Sequence, residues 1–231
     1  MFRRTIAVLH SRLQSRQLPD FVMKTTASAK NNILKKIKQA LGTPVPLPFE
    51  KENTQAYFLN NDDLELQFAE NFSALQGRFS FCANAQELVN QLQTLFAARS
   101  WNALYINEQE LKGKLAKAGL NINSTNNLAD CNAAITSCEF LVARTGSIIL
   151  SSAKNGRTSS VYAPVHICIA YTSQLVFDIK DGLELLQTKY STGLPSLISF
   201  ASGPSRTADI EKTLVTGVHG PKEVFCFLVE G

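Results

Sequence analysis

Ser202-Gly203-Pro204-Ser205-Arg206-Thr207-Ala208-Asp209-Ile210-Glu211, continued by Gly217-Val218-His219-Gly220-Pro221, separates two apolar runs near the C-terminus. The first run is Leu197-Ile198-Ser199-Phe200-Ala201, and the second is Glu223-Val224-Phe225-Cys226-Phe227-Leu228-Val229. Both have the length and residue types of buried strands, and the glycines, prolines, hydroxyls and charges between them read as a loop. In α/β proteins ligands gather at loops that leave strand ends. A site is therefore expected here.

Gly203, Ser205 and Arg206 can offer backbone amides, a hydroxyl and a guanidinium to one anion. Thr207 or Asp209, capping a short helix, would add the helix dipole. The plainer reading is that Arg206 and Asp209 only tie the loop to its sheet. His219 lies between Gly217 and Gly220, which let backbone fold closely around the imidazole, so it reads as a placed histidine. The catalytic candidates are accordingly His219 and Asp209. A Ser205–Asp209–His219 triad fits by residue type, but the Gly-x-Ser-x-Gly elbow is missing. The zinc-protease, P-loop and dinucleotide motifs are also missing from the sequence.

Upstream of this loop, helix and strand patterns alternate. Asp62 or Asp63 starts a helix carrying Leu64, Phe68 and Phe72, and residues 78–83 read as a strand. Asn84 caps a helix with Leu88, Val89 and Leu92; residues 103–106 are a strand and 108–118 a helix. That rhythm predicts a parallel sheet covered by helices. From about Asn132 strands follow in quick succession at 133–136, 140–143, 147–150, 165–170 and 175–178, then a helix at 181–190. The fold class expected is α/β, a parallel-rich mixed sheet flanked by helices. Ahead of it, Ser28 caps an amphipathic arm with Ile33, Leu34 and Ile37 on one face. Gly42 ends the arm, and Pro44, Pro46 and Pro48 stiffen the strap after it.

Two more polar stretches interrupt the strand-rich half. At Arg144-Thr145-Gly146-Ser147 the glycine supplies a tight hairpin turn. A sharper reading adds Thr145, Gly146 and Ser147 as groups facing a ligand oxyanion. In residues 154–160 Arg157 either lies in a solvated connection or clamps a carboxylate or phosphate through paired hydrogen bonds. His166, within an apolar strand, reads as a core residue rather than a base.

Composition narrows the function classes. The net charge is +4, but +3 of it lies in residues 1–22, so the rest carries only +1, too little for a patch that grips nucleic acid. Residues 1–22 read as an organelle transit peptide or as an extra segment ahead of a true start at Met23. The domains expected are this segment, an arm and strap at 23–50, and a body at 51–231. Cys82, Cys131, Cys138, Cys168 and Cys226 include no C-x-x-C pair and read as reduced packing thiols of a cytoplasmic protein. A self-contained iron–sulfur cluster is excluded on spacing. No apolar run approaches the roughly 20 residues of a membrane span.

The block 203–211 with 217–221 closely resembles the signature of the LUD-domain family, typified by lactate-utilisation protein C. Thr145-Gly146-Ser147 is similar to that family's Thr-Gly-Thr/Ser turn, and Pro164-Val165-His166-Ile167 to its Pro-x-His-Ile strand. Arg144 departs from the pattern, standing where many members carry an acidic residue, which shifts the local preference toward an anionic ligand. The resemblance implies a fold like the NagB/RpiA/CoA-transferase group and a part in oxidising L-lactate to pyruvate. It also implies iron–sulfur partner subunits, with no cofactor bound by this chain itself. Two other readings stay open: an independent enzyme acting on a sugar phosphate or CoA thioester, and a non-catalytic assembly subunit.

Overall fold

The computed structural model describes residues 25–40, 63–210 and 213–231. They fall in two compact units, 1–59 and 60–231. The first contributes one helix, α1 (Thr25–Ala40), which begins three residues before the Ser28 expected to cap it. Ile33, Leu34 and Ile37 on α1 are each about half exposed. Residues 1–22 and the Gly42–Pro48 strap lie outside the described residues.

In the second unit local sequence signals set the helix starts. Asp63 caps α2 (Leu64–Ala74), its carboxylate accepting from the amides of Glu65 at 3.1 Å and Leu66 at 3.4 Å. Asn84 caps α3 (Ala85–Arg99) by accepting from Glu87 N, while Glu87 accepts in return from Ala83 N. Between these helices runs β1 (Arg78–Cys82). Next come β2 (Leu104–Tyr105), α4 (Gln109–Lys117), β3 (Ala133–Thr136), β4 (Phe140–Val142) and β5 (Ser147–Ser151). A one-turn helix α5 (Ser159–Tyr162) leads to β6 (Val165–Tyr171), then β7 (Leu175–Val176) and α6 (Ile179–Lys189). The chain closes with β8 (Ile198–Ala201), β9 (Arg206–Ile210), β10 (Thr213–Thr216) and β11 (Glu223–Val229).

Five strands form an all-parallel sheet in the order β1-β11-β6-β3-β2. Its central strands β6 and β11 are buried along nearly their whole length, hence their unbroken apolar runs. Leu88, Val89 and Leu92 of α3 and Leu111 and Leu115 of α4 cover one face, against Ile135, Ile167, Ile169, Phe225 and Phe227. The other face presents Cys168, Val224, Cys226 and Leu228 to Phe68 and Phe72 of α2 and to Leu141, Ile148 and Leu150. Those last three belong to a second, four-stranded sheet ordered β7-β4-β5-β8, whose outer face α6 covers through Leu186 against Val142, Ile149 and Val176.

The expected α/β class, parallel-rich and flanked by helices, is therefore what the chain forms. The strand-rich half, read as part of one mixed sheet, is instead divided: β3 and β6 join the parallel sheet, and β4, β5, β7 and β8 stack on it as a second one. A parallel neighbour needs a crossover of about a dozen residues or more. The short turn between β4 and β5 permits only antiparallel pairing, and both sides of β3 are taken by β2 and β6. The two runs flanking the 202–221 segment thus part company: β8 joins the second sheet and β11 the first. Between them Thr207 and Asp209 lie on β9, antiparallel to β10, and cap no helix.

Candidate functional site

Strands β6 and β11 are neighbours in register, Val165 opposite Glu223, so the segments leading into them lie side by side. Lys222 N donates to Pro164 O at 2.8 Å and fastens the two. Along this edge opens a cleft of about 500 Å³. Arg157, Thr158, Val161, Tyr162 and Pro164 line it from the β6 side, and Gly217–Gly220 with Lys222 line it from the β11 side.

The second wall is held in shape by Ser205, which lies behind it. Ser205 N donates to Pro221 O and Gly217 N donates to Ser205 O, each at 2.9 Å. A side chain at Gly220 would strike Ser205, its first carbon falling 2.7 Å from Ser205 Cβ, and Gly217 turns with φ +79°. These constraints carry His219 at the tip of a closely folded turn. On the first wall Arg157 Nη2 donates to Ser196 Oγ at 2.7 Å, which steadies the guanidinium. Arg157 and Lys222 supply the charge of the cleft beside the His219 imidazole, and none of its lining residues is acidic. Such a surface attracts anions.

The remaining residues singled out in the sequence gather around the C-terminal end of α2. Arg206 Nη2 donates to Leu75 O at 2.5 Å, satisfying a carbonyl at the helix terminus where a cation is favoured. Gly203, with φ +87°, presses against the same carbonyl, leaving no room for a side chain. Gly146, at φ +57°, abuts the backbone of Asn71 and Phe72, and Asn71 Nδ2 donates to Ala143 O at 2.8 Å. Thr145 Oγ1 donates to Ser147 Oγ at 2.8 Å, and Ser147 Oγ bonds Ser202 Oγ at 2.7 Å. Thr145, Gly146, Ser147, Gly203 and Arg206 form a joint between α2, the β4–β5 turn and the loop after β8. Thr207 pairs with Val215 across the β9–β10 hairpin. Arg144 is held by Asp178, at 2.6 and 3.2 Å, so its charge answers a carboxylate of the chain itself. That contact, more than any other, holds the Asp178 carboxyl below its ordinary range.

Arg157, His219 and Gly220 therefore meet in one cleft, and Lys222, Val161 and Tyr162 complete it without having been singled out. The signal for Lys222 was present: it follows Gly220-Pro221 and directly precedes the second apolar run. His166 is a core residue. It is fully buried, with Nε2 2.8 Å from Thr136 Oγ1 and Nδ1 without a hydrogen-bond partner. Burial pushes its pKa down to about 4, so the ring is neutral at pH 7.

A second cleft, of about 530 Å³, lies where β2, β3 and β6 end, the edge at which parallel sheets more often bind ligands. Its polar groups are largely engaged with one another. Glu108 accepts from Ser137 N at 2.8 Å, Ser137 Oγ at 2.5 Å and Asn155 Nδ2 at 2.6 Å. Glu110 pairs with Lys114 at 2.7 Å, and Lys154 donates to Cys138 O. Its lining sets Glu108 and Glu110 against Lys114 and Lys154, whereas the Arg157–His219–Lys222 cleft holds no carboxylate, and this contrast decides between the two. Among the described residues no group of three or more His, Cys, Asp or Glu is arranged to hold a metal ion.

Comparison with known proteins follows this architecture. The family profile described as LUD domain matches residues 66–229. An uncharacterised protein of Neisseria meningitidis is 39% identical over 84 residues, 36% of this chain and 36% of that one. Lactate utilization protein C of Bacillus licheniformis is 35% identical over 102 residues, 43% of this chain and 42% of its own length. The chain thus spans well under half the length of these curated relatives. A crystal structure of a DUF162 family protein from Deinococcus radiodurans has the same fold, with a TM-score of 0.55 at 19% identity, covering 72% of this chain and 96% of that one.

Proposed function

As the chain belongs to the LUD-domain family, we propose that it serves lactate utilisation as a component that holds an organic anion in the Arg157–His219–Lys222 cleft. The cleft carries the binding half of this reading: two cations and a histidine meet there with no acidic residue in the lining. Arginine grips a carboxylate with paired N–H bonds and lysine adds a point charge. The lactate half rests on the relatives named lactate utilization protein C.

Oxidising L-lactate to pyruvate releases two electrons and two protons. Iron–sulfur partner subunits are the recipients in this reading, and the chain itself contributes binding and positioning. Its described cysteines are all free and buried, the ordinary state of thiols in a reducing cytoplasm, where the reading places it.

The test is growth of a deletion strain on L-lactate as sole carbon source, with affinity capture of partners. Loss of growth, rescued by the wild-type chain but not by Arg157→Ala combined with Lys222→Ala, is the expected result. Normal growth of the deletion strain refutes the lactate role, and capture without any iron–sulfur protein refutes the partner assignment.

A further inference from the structure

Lactate is a three-carbon acid with a single methyl group, and the cleft is built for something larger. Its volume of about 500 Å³ falls within the roughly 300–1,000 Å³ that encloses drug-sized ligands. Its walls also carry several large apolar side chains. Val161 is 47% exposed, Tyr162 65% and Val218 43%, and all three converge here beside Pro164. Large apolar side chains left open to water gain stability when a ligand covers them. Tyr162 adds a ring face for stacking and a hydroxyl that can stay wet.

Resting on the anion-binding reading above, the geometry points to an amphipathic organic acid as the ligand class of this cleft. Its carboxylate meets Arg157 and Lys222, and its chain or ring, bulkier than a methyl, covers Val161, Tyr162 and Val218. Lactate itself satisfies only the cationic part. The chain then handles a larger acid that accompanies lactate oxidation, and a different surface or subunit takes lactate.

Calorimetric titration of the purified full chain with a graded set of 2-hydroxy acids tests this. L-Lactate, 2-hydroxyhexanoate and phenyllactate share the same head group and differ in apolar bulk. Inorganic phosphate serves as the purely anionic probe. The expected result is tighter binding as apolar bulk is added, roughly fourfold for each covered methylene between lactate and 2-hydroxyhexanoate. Tyr162→Ala should flatten that gradient by weakening the bulkier acids more than lactate, and Lys222→Ala should weaken every member alike. Tyr162 is mostly exposed, so an unchanged thermal midpoint of the variant confirms an intact fold. A flat series in the wild type, or a gradient that survives Tyr162→Ala, overturns the inference while sparing the anion reading. Failure of every acid and of phosphate to bind overturns both.

Discussion

His166 gives the sharpest test of how the body of this protein is put together. The ring is fully buried on β6, with Thr136 as its one hydrogen-bond partner, and its pKa falls from the ordinary 6.5 to about 4. The unfolded chain binds a proton at this position below pH 6.5, whereas the folded chain refuses it until about pH 4. Stability must therefore fall as pH drops through that window. Integrating the difference in bound protons gives a loss of about 2 kcal/mol by pH 5 and about 3 kcal/mol by pH 4. Glu139, a buried carboxylate, is held below its ordinary 4.5 and stays ionised down to pH 5, so it does not contaminate the upper part of the window. Urea unfolding of the wild type and of His166→Gln at pH 7 and pH 5 is the assay. The variant starts less stable but should lose about 2 kcal/mol less than the wild type on acidification. NMR of the wild-type imidazole supplies an independent reading: its ring signals should stay unshifted down to pH 5. Parallel losses in the two proteins, or an imidazole that titrates near 6.5, would refute the reasoning.

Four further outcomes follow from the geometry. Gly146→Ala forces a side chain into the backbone of Asn71 and Phe72 at positive φ and should cost about 2–4 kcal/mol in thermal unfolding. Gly113→Ala, with open space around it in α4, should gain about 0.5–1 kcal/mol. In Glu139, burial raises the carboxyl pKa, but hydrogen bonds from Lys189, Ser151 and Tyr190 together outweigh it. Glu139→Gln should cost about 2 kcal/mol at pH 7 by urea denaturation, and the deficit should begin to shrink as pH falls through about 4.5, where the unfolded chain's carboxyl takes up its proton while the folded one, held lower, stays ionised. Arg206→Ala should lower the thermal midpoint by freeing the α2 terminus, yet leave phosphate affinity intact, whereas Lys222→Ala should do the opposite. Equal affinity losses in both would return Arg206 to the site.

The parts of this structure legible in the sequence are those set by neighbours along the chain. Asp63 and Asn84 cap their helices through amides two or three residues away, so residue type and position suffice to find them. Central strands announce themselves because burial on both faces leaves no polar alternation. Arg206 was harder, because its partner is the carbonyl of Leu75, 131 residues earlier, and nothing local distinguishes a guanidinium that closes a helix end from one that awaits a ligand. Arg144 poses the same difficulty, answered by Asp178 34 residues on. The β9–β10 hairpin did leave a trace in Thr207, Ile210, Thr213, Val215 and Thr216, whose β-branched side chains favour extended backbone over a helical cap. Tyr162 was concealed by its short helix, which offers too few residues to show a period.

The five thiols carry a practical consequence. Cys82 packs on the helix-covered face of the parallel sheet, Cys131 beside Ala134 and Ala163, and Cys138, Cys168 and Cys226 touch in series between the two sheets. Each lies in the native interior, so a thiol-specific reagent can label a position only when the layer around it parts. Mass spectrometry of labelled peptides over time would then rank those separations. The protein arrives with a clock in each layer, and the layer that opens first names the weakest seam in the fold.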